Sequence, residues 1–436
     1  MRTLFTPAGA RIIWLVLAAA PQAIHAQVQS AGIPVVTLAE ARSRAAVIAP
    51  GTIAARAELN AALWERRSAT AQLLTPNLTA STSYTRFSSP FFNFGTGTIT
   101  PNSTNATLQA SYTLLGARKF AELSRSRASV ASAEAEEVAA VFGTALATDR
   151  AFYAAVADRE LLRVAADRLT RAQEQLAIAR VRVTVGEAIA ADSLQLLLEV
   201  NRARLAALRA DSALAVSRLR LGREIGMTGP VDAATPDTSA PPALPISLEE
   251  AVAELRASGP VLQAARADER RTRAALSVER NAYLPELSII GTAGAYDARF
   301  FPSALYRRQL SLNVSVPIWN GGQREVGIAR ARALHNISAA QLADQERAAT
   351  QVMSESYYGY ETARAGVELA RSGVAAAAEN YRVQRARYGG GAGSILDLLE
   401  AQVALSESEV ELIRSRQSAR LALAQLEALL GRRILQ

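Results

Sequence analysis

The sequence predicts a mainly α-helical chain with a small β part, in which long antiparallel coiled-coil helices are organised by two internal structural repeats. Three observations predict this. No proline occurs between Pro101 and Pro230 or after Pro317, so two very long stretches carry no strong helix breaker. The same residues recur in the same order in both halves of the chain. Four short segments alternate apolar and polar residues at the period of a β-strand.

Composition narrows the function. The 436 residues are 50% hydrophobic, which supports a sizeable core. The formal charge is +8 and the pI about 10.1, almost all of the positive charge coming from arginine; Lys119 is the only lysine. Acids are interleaved with these arginines along helical stretches, as on solvated helix faces, so no nucleic-acid partner is expected. With no cysteine there is no disulfide, thiolate metal site, cysteine nucleophile or N-terminal lipidation on cysteine. His25 and His335 are the only histidines, which nearly excludes histidine metal sites and triads. No cofactor, no metal and no catalytic residues are expected.

Residues 1–26 read as a cleavable signal peptide. Arg2 and Arg11 supply charge, Ile12 to Ala20 the apolar core, and Ala26 a small residue before a cut at Gln27. The apolar run is shorter than the roughly 20 residues of a spanning helix, which favours cleavage over an uncleaved anchor.

The first repeat is read as 27–225 and the second as 247–436. Thr37-Leu38-Ala39-Glu40-Ala41 matches Ser247-Leu248-Glu249-Glu250-Ala251, and Pro50 matches Pro260. Further on, a gap-free stretch aligns Lys119 with Arg324, Phe152-Tyr153 with Tyr357-Tyr358, Glu174 with Glu379, Arg180 with Arg385, Arg182 with Arg387, Gly186 with Gly391 and Asp192 with Asp397. Residues 226–246 hold five prolines and join the halves as a linker. The paired aromatics are expected in the core, and His335 in a structural role.

Each repeat has the order helix, strand pair, long helix, helix. The strand pairs are placed at about 78–114 and about 287–318. The long helices are placed at about 118–185 and about 322–388, each roughly 100 Å long, followed by helices at about 189–225 and about 394–431. Apolar residues at three- and four-residue steps, as in Leu161, Leu162, Val164, Ala165 and Leu169, bury one face. A helix of that length needs helical neighbours throughout, as in a coiled coil or helical tube.

In Asn105 to Leu114 one face is Ala106, Leu108, Ala110, Tyr112 and Leu114; in Gln309 to Ile318 it is Leu310, Leu312, Val314, Val316 and Ile318. Polar residues fill the opposite faces. Lipid outside and water inside fit this alternation, and so does a half-buried soluble sheet. Ser88 to Ser103 is read as a long aromatic loop. If the strands span a bilayer, four are too few to close a barrel, and open edges are forbidden there. An oligomer follows, its number unset.

At this point the chain resembles the TolC-like outer-membrane efflux protein family. The duplicated Leu-x-Glu-Ala openings carry the resemblance, with Val316-Pro317-Ile318-Trp319-Asn320-Gly321-Gly322 and with Arg387-Tyr388 followed by glycines and Ile395-Leu396-Asp397-Leu398-Leu399-Glu400-Ala401. The resemblance implies a homotrimer that shares a twelve-stranded transmembrane β-barrel, above an α-barrel that crosses the periplasm. It implies outer-membrane lipid around the barrel, a periplasmic adaptor (membrane fusion) protein at the tips, and an inner-membrane pump reached through the adaptor. The protein is then the exit duct of a tripartite efflux or type I secretion system. The first-half junction Leu114-Leu115-Gly116-Ala117-Arg118 departs from the Trp-Asn-Gly-Gly form, and the first-half turn has one glycine where the second has several.

The helical tips are the expected functional end. The resemblance puts Asp192 and Tyr388 where neighbouring coils are tied shut. Asp397 and Glu400, three residues apart on one helix face, would form a carboxylate ring in the oligomer and select cations; as helix-start acids they also suit the dipole. Arg182, Gly186, Arg387, Gly389, Gly391 and Ser394 are the expected adaptor-contact residues, the glycines also serving turn geometry, the arginines C-terminal charge and Ser394 an N-cap. The glycine run is no phosphate loop, since no lysine follows it. The alternative is an exported coiled-coil structural protein, which salt alone would free from a membrane.

Overall fold

The computed structural model describes residues 33–94, 97–186, 188–235, 240–298 and 304–435. The signal peptide read at 1–26 lies outside the described residues.

The first repeat runs β1 (Val35–Val36), α1 (Leu38–Ile48), α2 (Pro50–Leu74), β2 (Asn77–Asn93), β3 (Thr98–Gly116), α3 (Ala117–Thr184) and α4 (Ala190–Glu224). After β4 (Asp232–Ala233), the second runs α5 (Leu248–Ser258), α6 (Pro260–Arg280), β5 (Glu286–Asp297), β6 (Leu305–Ser315), α7 (Gln323–Gly389) and α8 (Ile395–Leu430). The shared Leu-x-Glu-Ala opening is a helix start. Thr37 Oγ1 accepts from the Glu40 N–H at 3.2 Å, and Ser247 with Glu250 completes a capping box. Pro50 and Pro260 stand at the first turn of α2 and α6, where the missing N–H costs nothing.

The helix α3 has 68 residues and α7 has 67, each roughly 100 Å long. Antiparallel α4 and α8 pack along them, and α3 also meets α2, α6 and α8. Alanine is the commonest buried residue of α3, with Ala151, Ala155, Ala172 and Ala179 at 3% exposure or less, so backbones approach closely there. One core gathers Phe152, Val156, Leu221, Ile225 and Val231. Its counterpart in the second repeat gathers Met353, Tyr360, Leu255, Leu262 and Leu426. Phe152 and Tyr360 are core residues, whereas Tyr358 is exposed. His335 lies on α7 against Glu269 of α6, at 3.5 Å. The linker is strapped down: β4 pairs in parallel with β1, Asp232 takes Arg159 and Arg218 at 3.3 and 2.6 Å, and Tyr360 donates to the Pro242 carbonyl at 2.6 Å.

The four long strands form one antiparallel sheet in the order β2-β3-β5-β6. Much of the segment read as a loop, Ser88 to Ser103, is strand: β2 continues to Asn93 and β3 begins at Thr98. Pro90 and Pro101 lie within these strands. Both fall within the register shift between Arg86 and Phe91, where they owe no ladder hydrogen bond. A second shift, between Thr113 and Leu115, gives Leu287 the partner Leu115 in place of Leu114. Strand β6 stops at Ser315, short of Ile318. Among the described residues, neither β2 nor β6 has a partner on its outer edge.

The two strand-to-helix junctions share one device on different turns. Lys119 donates to the Leu73 and Thr113 carbonyls at 3.3 and 3.0 Å and sits 4.1 Å above the Tyr112 ring. Its repeat partner Arg324 donates to the Pro317 and Ile318 carbonyls at 2.6 and 2.9 Å and sits 4.4 Å above the Tyr283 ring. Each cation ties the root of a long helix to the sheet. Among the described residues no helix is long and apolar enough to cross a membrane.

Candidate functional site at the helical tips

Far from the sheet, α3 turns into α4 and α7 into α8. Each turn needs one left-handed residue and each has one glycine for it, Gly186 at φ +79° and Gly391 at φ +75°. Gly393 is required for a different reason, because an added Cβ would meet Arg387 Cβ and the Tyr388 nitrogen at 3.0 Å. Gly389, the last residue of α7, meets no such demand: its φ is ordinary and the space beside it is open. Ser394 caps α8 by accepting from the Leu396 N–H at 3.0 Å. At the other tip, Ile189 stands at the cap position without a side-chain bond.

The two tips join through Arg182 and Tyr388. Arg182 Nη1 donates to the Tyr388 carbonyl at 2.5 Å, and the guanidinium lies 5.0 Å from the ring centroid. The ring is 4% exposed and packs among Leu176, Ala179, Leu196, Ile395 and Leu398. The joint therefore uses the carbonyl of Tyr388, while its buried hydroxyl has no hydrogen-bond partner among the described residues. Burial pushes the phenol pKa up and the negative charge of Asp192 pushes it further, against the opposing pull of Arg182. Asp192 thus stands close enough to act on Tyr388 electrostatically.

Sequence reasoning missed the rest of this seam. Gln175 donates to the Tyr381 hydroxyl at 2.7 Å in a buried contact, and Arg171 pairs with Glu409 at 3.3 Å. Arg385 reaches Glu174 at 3.1 Å. The repeat alignment had already marked both, since Glu174 aligns with Glu379 and Arg385 with Arg180, but not that they would meet each other. Asp397 and Glu400 are exposed near the start of α8 and are not drawn into the seam. Arg387 is exposed too, reaching only Gln384 and the Ala392 carbonyl at 3.5 Å. Among the described residues no group of three or more His, Cys, Asp or Glu could hold a metal ion.

Paired helical shafts carry a sheet with open outer edges at one end and a pinned tip at the other, the parts of a channel subunit. The chain belongs to the outer membrane efflux protein family, whose model matches residues 41–227 and 251–432, one match on each repeat. It is 30% identical over 289 residues to Protein CyaE of Bordetella pertussis, covering 62% of this chain and 60% of that protein's length. It is similar in structure to the outer membrane protein VceC of Vibrio cholerae, with a TM-score of 0.77 at 17% identity over 91% of this chain and 97% of that one. For the CmeC outer membrane channel of Campylobacter jejuni the TM-score is 0.79 at 16% identity, over 90% and 85% of the two chains. For the open MtrE outer membrane channel of Neisseria gonorrhoeae it is 0.73 at 19% identity, over 91% and 89%. At these identities the structural likeness is one of fold.

Proposed function

We propose that this outer-membrane channel subunit assembles as a homotrimer and serves as the exit duct of a tripartite efflux or type I secretion system, gated at its periplasmic tips. One observation carries the reading: a four-stranded sheet with two open outer edges is rooted directly on helices roughly 100 Å long. Open edges cannot stand in hydrocarbon, so β6 of one copy must meet β2 of the next until a barrel closes. The helices then carry the same lumen across the periplasm.

The tip geometry supports a gate built from Arg182, Tyr388 and Asp192. It supports an adaptor surface at Arg387, Gly389 and Ser394, which are exposed, with Gly186 and Gly391 shaping the turns. A ring of Asp397 and Glu400 would face the lumen and favour cations. The test is single-channel recording on detergent-extracted protein, with its mass set by light scattering. A trimer with discrete, cation-preferring steps supports the duct. A species freed by salt alone, without steps, overturns it. Neutralising Asp397 and Glu400 together should lower cation preference; unchanged selectivity would sink the ring.

A further inference from the structure

The sheet carries two arginines, Arg86 of β2 and Arg308 of β6, that no hydrogen bond or ion pair among the described residues explains, and Arg308 is the one that lines a groove. In β6 the residues on the apolar face are Tyr306, Arg308, Leu310, Leu312 and Val314. Arg307 points the other way, where it donates to the Phe94 carbonyl at 2.5 Å. Among the described residues Arg308 has no hydrogen-bond or ion-pair partner. Of the two acids in the sheet, Glu286 is at the opposite end, where it accepts from the Thr113 hydroxyl at 2.9 Å, and Asp297 is 3% exposed and already engaged. Strand β2, the edge that a second copy would lay beside β6, contains no Asp or Glu. Oligomerisation in that register therefore brings no carboxylate to Arg308 from the neighbouring strand.

Beside Arg308 the same face is floored by small residues. Ala80, Ala106, Ala293 and Ala295 line a groove of about 550 Å³ bounded by Leu108, Tyr306 and Arg308. Height places the Arg308 end of this groove near one edge of the membrane, while its Ala80 end lies three residues from the start of β2, toward the helices. From Arg308 down to exposed Ile318 and Trp319, below the strand, the chain covers at most about 34 Å at roughly 3.4 Å per residue. At the usual barrel tilt that is about 26 Å of height, close to the roughly 25 Å of an outer-membrane apolar band. Arg308 is three residues from Leu305, the hairpin end of β6 away from the helices, and Tyr306 beside it is 81% exposed. A long side chain there keeps its charge at the headgroup level.

We propose that Arg308 and this alanine-floored groove bind a phosphate-bearing lipid of the outer leaflet, the guanidinium taking the phosphate and the groove one acyl chain. The inference rests on the reading that the apolar face of the sheet meets lipid.

The test is native mass spectrometry of the full-length oligomer titrated with lipid A, with dephosphorylated lipid A, and with inorganic phosphate as competitor. The expected result is saturable lipid A binding that weakens by at least about tenfold in Arg308→Gln or on removal of the phosphates, the loss of one charge-assisted contact. Ala293→Leu, which fills the groove, should weaken it as well, and Arg307→Gln should not. Equal binding in Arg308→Gln, or equal binding of the dephosphorylated lipid, overturns the proposal, as does displacement by millimolar inorganic phosphate, which would mark a plain anion site. If Arg308→Gln fails to assemble, Arg308→Lys with Ala293→Leu decides: retained binding in the first and loss in the second supports the site, and loss in neither overturns it. Channel recording on the same preparation separates the two readings. Discrete steps without phosphate-dependent lipid binding sink this site alone, and salt-extractable protein without steps sinks both.

Discussion

The two helical tips begin from matching residues and end in different states. Arg182 and Arg387 are repeat partners, each just before its turn. Arg182 is turned inward onto the carbonyl and ring of Tyr388, while Arg387 is exposed and reaches only its own turn. Both turns depend on a single left-handed glycine, yet the second carries Gly389 as well, which the backbone does not require. Duplication therefore supplied two equivalent hairpins whose arginines ended in different contacts, one turned inward onto the other hairpin and one exposed on its own.

This contrast can be broken most sharply at the arginines. Arg182→Ala should raise the conductance of the closed channel by on the order of tenfold or more, as expected for losing a charge-assisted bond worth about 1.5–3 kcal/mol. Arg387→Ala should leave closed conductance unchanged while weakening adaptor capture; equal effects of the two on conductance would erase the distinction. Next in size, Gly391→Ala should cost about 1–2 kcal/mol through its left-handed backbone, read as a lower Tm, whereas Gly389→Ala should fall within about 0.5 kcal/mol of the parent. Capping gives a smaller difference. Ser394→Ala should cost about 1 kcal/mol, and Ile189→Ser, which installs the cap that the first tip lacks, should add roughly half of that.

The smallest effect at neutral pH concerns the Tyr388 phenol. Its pKa is raised in the folded tip, so its contribution is complete below the ordinary tyrosine value of about 10 and is lost as pH climbs through the raised value. Closed conductance should be flat through neutral pH and rise only at strongly alkaline pH, and Tyr388→Phe should abolish that rise. Because the hydroxyl has no partner among the described residues, the same variant should change neutral-pH conductance only if a second copy supplies one.

Much of the fold was legible because its strongest determinants are local. Proline-free stretches and Ala-rich stripes mark the shafts directly, and Thr37 and Ser247 mark the starts of α1 and α5. The extensions of β2 and β3 were not legible, because Ser88 to Ser103 reads as one long aromatic loop and the register shift that admits Pro90 and Pro101 to the strands has no local signature. The site was legible in its parts and not in its pairings. Arg182 and Arg387 sit in near-identical contexts, and which one turns inward is set by how α3 lies against α8, a tertiary fact with no local signature. The cross-repeat pair of Arg385 with Glu174 is hidden for the same reason.

The aromatic partner of Arg182 exists in only one half. In the gap-free alignment Val183 occupies the place of Tyr388, and Arg387 meets no ring there. A closed ring of three such chains then alternates two kinds of seam, a bolted one within each chain and a looser one between chains. On the proposed function, such a ring would not dilate as a uniform sixfold iris. It would part first along three lines, like three double doors whose leaves stay latched in pairs, and conductance should then rise through up to three levels, one for each line.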